Sequence, residues 1–366
     1  MTQQASMVRW GILGTGDNAT KFVKDLLIDP ATRQVHDVTH DIVAVASSSA
    51  IEKAQNLLST THTPSTARAY GSYEALVADP NVDIVYVASP HSHHFAHTRL
   101  ALLANKHVLA EKAFTVNAEQ AQVLVDLARK RGLFLMEALW TRFFPLTRHV
   151  QHLVREGVIG TVQRIVADRN LGRNVEELYG TKHRLVNPAL AGGALLDLAV
   201  YPLTWVFLFL SADRPLASVP LRTTGSVIKY KETGVDETVT VVLTSPETQT
   251  QGVATASLRV TPDPQEPGVR ILGTKGQIQV FGPAARPDSI KVVVYGSAGD
   301  ASTTAFPIPV GHGLFWEADE CARRVQAGER ESPVMPLAET LLMMRVFDQV
   351  REQNQLQYPD EIEAIA

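Results

Sequence analysis

Within the first 140 residues, short continuous apolar runs alternate with helix-length stretches, and no other feature restricts the fold as strongly. The runs are Val8–Leu13, Asp41–Ala46, Asp83–Ala88, His107–Ala110 and Leu133–Met136. A strand apolar along its whole length needs cover on both faces, and parallel strands need a crossover connection, usually a helix. The intervening stretches carry helix punctuation. Ser72 is a good N-cap for a segment that stops before Pro80. Asn117 opens another that ends at Gly132, with Arg129, Lys130 and Arg131 placed where a helix C-terminus favours cations. Residues 1–140 therefore read as α/β: a Rossmann dinucleotide-binding domain built on a doubly wound parallel sheet.

From residue 141 the pattern changes. A helix near 146–156 is followed by strand-like runs at 162–169, 218–229, 236–243, 252–260, 269–272, 277–281 and 290–295, several alternating apolar and polar residues. Gly273-Thr274-Lys275-Gly276 is a hairpin signal. Strands in succession, with helices at 314–326 and 337–353, predict a C-terminal α+β domain over 141–366 with a largely antiparallel open sheet. The chain of 366 residues is long enough for two such units. Its longest apolar stretch, Ala194–Leu210, carries Asp197 and Pro202 and reads as a buried helix, not a membrane span.

A net charge of −4 without a block of Lys or Arg argues against nucleic acid or an anionic membrane as partner. The single Cys321 excludes an internal disulfide framework and fits a reducing compartment. Met1–Ser6 has neither a basic nor an apolar leader region, so a cytoplasmic location is expected.

The chemistry begins at Gly14-Thr15-Gly16-Asp17-Asn18-Ala19, a G-x-G-x-x-A directly after the first strand. Gly14 permits the turn, Gly16 lets backbone approach a pyrophosphate, Ala19 keeps helix and strand close, and the helix N-terminus receives the anion. At the end of the second strand a carboxylate would hold the ribose of NAD; Ser47, Ser48 and Ser49 stand there instead, with Lys53 nearby. Hydroxyls and a cation suit a 2′-phosphate, so NADP is preferred to NAD. Ser89-Pro90-His91-Ser92-His93-His94 follows the third strand. No Cys or carboxylate accompanies these histidines at ligand spacing, so no metal is expected, and one or two of them are placed in the cofactor crevice. Glu111-Lys112 ends an apolar strand, where an unpaired ammonium is costly to desolvate but points at a ligand. Asp197 and Tyr201, four apart in the apolar helix, share a face. A phenol becomes a useful base where a neighbouring cation favours the phenolate, and Lys112 is the candidate.

Together these motifs resemble the Gfo/Idh/MocA oxidoreductases along essentially the whole chain. The resemblance lies in Gly14-Thr15-Gly16, Ser89-Pro90-His91-x-x-His94, Glu111-Lys112 and Gly192-Gly193-x-x-x-Asp197-x-x-x-Tyr201. It is nearest to the branch of dimeric dihydrodiol dehydrogenases and NADP-dependent D-xylose 1-dehydrogenases, through Met136–Pro145, Thr233–Val241 and Glu331–Leu337. It implies Lys112, Tyr201 and Asp197 as the catalytic group, and an NAD(P)-dependent enzyme moving hydride between nicotinamide and a sugar carbon. The first choice is an aldose 1-dehydrogenase giving the lactone. The alternatives are a trans-1,2-dihydrodiol dehydrogenase, a glucose–fructose-type oxidoreductase with tightly held NADP, and, last, a non-catalytic nucleotide-sensing regulator. Trp140 and Arg142 are expected to wall the cofactor and substrate pocket, with Phe315 or Trp316 closing it over a sugar or diol. A homodimer through the second sheet is also implied. Two departures stand out: the usual Glu-Lys-Pro reads Glu111-Lys112-Ala113, relaxing a backbone constraint, and Asn170-Leu171-Gly172 lacks the aromatic of the dihydrodiol enzyme.

Overall fold

A computed structural model describes residues 6–211, 214–296 and 302–365. The first sheet contains β1 (Ser6–Leu13), β2 (Val38–Ala46), β3 (Arg68–Tyr70), β4 (Ile84–Val87), β5 (His107–Glu111) and β6 (Leu135–Ala138) in the order β3-β2-β1-β4-β5-β6. All its pairings are parallel. Helices α1 (Asp17–Leu26), α2 (Ile51–Thr60), α3 (Tyr73–Val77), α4 (His91–Leu103) and α5 (Ala118–Arg131) connect the strands. The caps act as their residue types require: Ser72 Oγ accepts from Ala75 N–H and Asn117 Oδ1 from Gln120 N–H, while Gly132 ends α5 in the left-handed region. The strand order reverses between β1 and β4, and that switch point opens a crevice at the strands' carboxyl ends. Two details differ from expectation. β3, three residues at the sheet edge, has no apolar run to announce it, and β6 begins two residues later than its apolar segment.

The second sheet follows α6 (Pro145–Arg155) and comprises β7 (Val162–Asn170), β8 (Arg222–Lys229), β9 (Asp236–Ser245), β10 (Thr250–Ser257), β11 (Val269–Gly273), β12 (Gly276–Phe281), β13 (Ser289–Val294) and β14 (Thr303–Ala305). Its order is β14-β13-β12-β11-β7-β10-β9-β8, antiparallel except where β7 meets β10. Between β7 and β8 come α7 (Val175–Tyr179) and α8 (Val200–Phe209), the latter continued backwards by a π turn, Leu195–Ala199. α8 lies on the sheet face formed by Ile165, Ala167, Val241, Ala254 and other buried side chains. A side chain at Gly252 would collide with Val206, so glycine is what lets helix and strand approach. Among the described residues, one helical stretch, Pro188–Phe209, is long and apolar enough to cross a membrane, and 89% of its window is buried inside the protein.

The chain then returns to the first sheet. α9 (Phe315–Gln326) packs on α1, β1 and β2, and α10 (Leu337–Gln353) reaches α5, β6 and β8; α11 (Asp360–Glu363) follows. Asp319 of α9, fully buried, pairs with Arg33 at 2.6 Å and His40 at 2.9 Å. Asp25 of α1 accepts the backbone N–H groups of Gly313 and Leu314 at 2.9 and 2.8 Å.

Candidate active site

A cavity of about 680 Å³ runs along the carboxyl edge of the first sheet. One end is lined by Gly14–Asn18, Ser47–Ser49 and Lys53, the middle by Ser89, Pro90, His91 and His94, and the far end by Glu111, Lys112 and Asp197. A second cavity of about 370 Å³ shares Asn18, Lys21, Glu111, Lys112, Arg184 and Asp197 with it, and adds Trp140, Leu171 and Tyr201. Lys112 stands where the two meet.

The nucleotide end is shaped by what is missing. Gly14 has φ +111°, and a Cβ there would stand 2.7 Å from the Ala88 carbonyl. Gly16 is the N-cap of α1 with no side-chain cap bond, and a Cβ placed on it would meet nothing within 4 Å. The first-turn N–H groups therefore face open space, as a diphosphate requires. Ser47, Ser48 and Lys53 line the end where the ribose of a dinucleotide would lie, and the turn after β2 contributes serines there in place of a carboxylate. These residues fit a dinucleotide cofactor.

At the junction, Lys112 Nζ donates to Asp197 twice, to Oδ1 at 2.9 Å and to the main-chain oxygen at 2.8 Å. Its ammonium also lies 5.2 Å from the Tyr201 ring centroid. Arg184 Nη1 reaches the same Oδ1 at 3.1 Å, and His91 Nε2 stands 3.8 Å away. Oδ2 accepts no hydrogen bond among the described residues. Glu111 accepts from the Tyr86 hydroxyl, from Asn18 at 3.4 Å and from the Lys112 amide at 3.2 Å. The Lys112–Ala113 peptide is cis. The backbone after Lys112 is not slack, because Ala113 and Phe114 are fully buried and the Ala113 carbonyl lies 2.8 Å from His94 Nδ1.

Electrostatics separate these groups. Burial works against the Asp197 carboxylate, but Lys112, Arg184 and His91 outweigh it and hold its pKa far below the usual range. Burial likewise opposes the Lys112 ammonium; Asp197, Tyr201 and Glu111 more than compensate, and its pKa rises. Burial pushes His91 down to about 3 and His94 to about 4, so both rings are neutral. Tyr201 departs from expectation. Burial raises its phenol pKa, Glu111 and Asp197 add to the rise, and Lys112 offsets only part of it.

The Asp197–Tyr201 helix is aimed by a tight neighbourhood. A side chain on Gly192 would press on the Arg184 carbonyl, and one on Gly193 (φ +128°) would collide with the Asp236 carboxyl. Asp236 is wholly buried and accepts the Leu195 amide, fixing the start of the π turn. Burial raises its pKa to about 7.

Both halves match known sequence families. The oxidoreductase family model with an NAD-binding Rossmann fold covers residues 8–139, and the GFO/IDH/MocA C-terminal domain covers 147–279. The chain belongs to the Gfo/Idh/MocA oxidoreductases. It is 47% identical to a D-xylose 1-dehydrogenase (NADP(+)) of Hypocrea jecorina, over 97% of this chain and 94% of that one. It is 33% identical to a trans-1,2-dihydrobenzene-1,2-diol dehydrogenase of Bos taurus, over 97% and 99% of the two chains. In fold it resembles a 3-ketoreductase from Actinomadura kijaniata solved with NADP and TDP-benzene, with TM-score 0.76 at 24% identity over 95% of this chain and 98% of that one.

As a Gfo/Idh/MocA protein the chain gathers most of the anticipated residues on one crevice, with three exceptions. Arg142 faces away: its guanidinium is buried, donating to the Val334 carbonyl at 3.0 Å and pairing with Glu339 of α10. Phe315 is fully buried beneath Arg33, and Trp316 packs edge-on against Phe144 and Phe315; neither lines the two cavities. Trp140 does line the smaller cavity. Of the histidines beyond the pair in the crevice, His93 is exposed, and His97 bonds Ser89 Oγ at 2.9 Å. Lys21, Arg169, Arg184 and Arg286 also reach the smaller cavity, though no motif marks them. Arg184 reaches it because the close packing at Gly192, where a side chain would press on the Arg184 carbonyl, draws that loop onto the helix.

Proposed function

We propose that this oxidoreductase binds NADP and oxidises a cyclic aldose at C1 to the lactone, with Lys112, Tyr201 and Asp197 as its catalytic group. The observation that carries the reading is the Lys112–Asp197 pair beside Tyr201, at the meeting point of a dinucleotide cleft and a smaller cavity where charged side chains stand among apolar ones. The bound nicotinamide supplies the acceptor for the hydrogen and electron pair that leave C1. Tyr201 takes the O1 proton as the C1–O1 bond becomes a carbonyl; the fixed positive charge of Lys112 favours its phenolate over what burial alone would allow. Asp197 anchors Lys112 through Oδ1 and presents its free Oδ2 to a sugar hydroxyl. Gly14, Thr15, Gly16, Asp17 and Asn18 receive the diphosphate, Ser47, Ser48 and Lys53 the 2′-phosphate, and Ser89, Pro90, His91, His94 and Glu111 flank the nicotinamide side.

The D-xylose 1-dehydrogenase relative supports an aldose, as does the lack, around Asn170-Leu171-Gly172, of the aromatic that the resemblance to the dihydrodiol enzymes implies. In this reading residues 1–140 hold the nucleotide, while 141–366 hold the substrate and, through the sheet face opposite α8, a second copy of the chain. The half-exposed Val166, Val253 and Val242 align across that face as an apolar row suited to such a contact. A cytoplasmic location completes the proposal. The test is reduced-cofactor absorbance with NADP or NAD against D-xylose, D-glucose and a trans-dihydrodiol. NADP reduction by an aldose supports the reading; turnover of the diol alone overturns it.

A further inference from the structure

The smaller cavity is lined by five cationic side chains, Lys21, Lys112, Arg169, Arg184 and Arg286, and by two carboxylates, Glu111 and Asp197. The carboxylates are already committed: Asp197 binds Lys112 and Arg184, and Glu111 binds the Tyr86 hydroxyl. No ion pair among the described residues engages Arg169 or Arg286. Each is half-buried and has one bond to a backbone carbonyl, Arg169 to Asn170 at 2.9 Å and Arg286 to His312 at 2.9 Å. Arg169 Nε is buried without any partner. The nearest carboxylate in sequence, Asp168, projects to the opposite face of β7, where it accepts the Asn170 side-chain amide at 2.7 Å.

Cofactor phosphates do not explain these charges. Lys21 also lines the larger cavity, whereas Arg169 and Arg286 do not. A neutral sugar that displaced water from this wall would leave Arg286 without a carboxylate partner among the described residues and Arg169 with only the through-strand charge of Asp168, a costly arrangement. Guanidinium presents a planar fork suited to a carboxylate or phosphate.

We infer that the cavity takes sugars carrying an anionic group away from the reacting carbon, a carboxylate or a phosphate ester, with Arg169 and Arg286 as its binding groups. This rests on the aldose reading and narrows its substrate class. C1 then faces the Lys112–Tyr201 end, and the anion stands against the Arg169–Arg286 wall.

The experiment compares kcat/KM for D-glucose, D-xylose, D-glucuronate and D-glucose 6-phosphate in the wild type and in R169Q, R286Q, R169K and R286K. Cofactor binding by fluorescence confirms that each variant is folded. At least one anionic sugar should exceed D-glucose by about tenfold at low salt, an advantage that shrinks as ionic strength rises. The anionic-to-neutral ratio should fall about tenfold in a Gln variant and recover in part in the Lys variant. Preference for glucuronate alone assigns a carboxylate, and for the 6-phosphate alone a phosphate ester. Neutral sugars oxidised as well as or better than both anionic ones would overturn the inference and leave the aldose reading intact, as would a ratio indifferent to Arg169 and Arg286. Turnover of anionic sugars alone would uphold the inference and remove neutral aldoses from the reading; no turnover of any aldose would overturn both.

Discussion

Lys112 is tied to Asp197 through both the carboxylate and the main-chain oxygen of the same residue, at 2.9 and 2.8 Å. One bond orients the side chain, and the other fixes it to the turn that carries the helix. The ammonium is thereby held 5.2 Å from the centre of the Tyr201 ring, across the gap between the first sheet and α8.

Lys112→Met removes both bonds and the cation that lies over the Tyr201 ring. Turnover should fall on the order of 10²–10⁴-fold, the usual range for loss of acid–base assistance. Cofactor affinity, measured by fluorescence titration, should change little, because Gly14–Asn18 and Ser47–Lys53 lie at the other end of the cleft. Near-normal turnover in this variant is incompatible with the assignment.

The raised phenol pKa of Tyr201 sets the pH dependence of oxidation. The reactive form is the deprotonated one, and its ordinary pKa of 10.0 is already alkaline. The rate of cofactor reduction should therefore climb from neutral to alkaline pH, and Tyr201→Phe should lose that climb together with most of its activity. An acidic optimum in the wild type would contradict Tyr201 as the base.

Glu137, buried beside Thr340, has its pKa raised from 4.5 to about 7, by burial first of all. An acid raised on folding contributes stability below its unfolded pKa and loses it as pH rises through the folded one, so the window is about pH 4.5 to 7. Glu137→Gln keeps an acceptor for Thr340 and cannot ionise. Its melting temperature should decline less than that of the wild type across this window, a difference worth roughly 3 kcal/mol. Parallel profiles from scanning calorimetry would refute it.

Gly193→Ala places a methyl group on the Asp236 carboxyl at a backbone angle of +128°. Destabilisation of roughly 2 kcal/mol or more is expected from chemical denaturation, with a loss of activity, since the start of the catalytic helix must move. Gly16→Ala meets no protein atom and should leave the fold intact while weakening the cofactor.

Ser48→Asp places a carboxylate where the 2′-phosphate is assigned. The ratio of kcat/KM with NADP to that with NAD should drop roughly tenfold or more, since apposed like charges cost well over 1 kcal/mol. An unchanged ratio would move the 2′-phosphate elsewhere.

The repeating apolar runs were enough to define the first sheet, because a strand buried on both faces leaves a continuous signature. β3 and β14, three residues each at sheet edges, have no such signature. The dinucleotide turn was legible because glycine is demanded there by geometry, and Lys112, Asp197 and Tyr201 because polar groups interrupt apolar segments. Side-chain direction was not legible. Arg142 and Phe315 sit close to the right places in sequence, yet one turns towards Glu339 and the other towards Arg33. Arg184 was invisible for the opposite reason: it comes from a polar loop, and only the packing forced by Gly192 and Gly193 brings it onto Asp197. The balance of charge around Tyr201, which lifts its pKa in spite of Lys112, depends on burial that no spacing reveals.

The closure of the first sheet by α9 has a consequence for synthesis. Arg33 and His40 leave the ribosome long before Asp319, their shared buried counter-charge. The nucleotide-binding half is made first, yet it waits, incompletely sealed, until the far end of the chain arrives to close it.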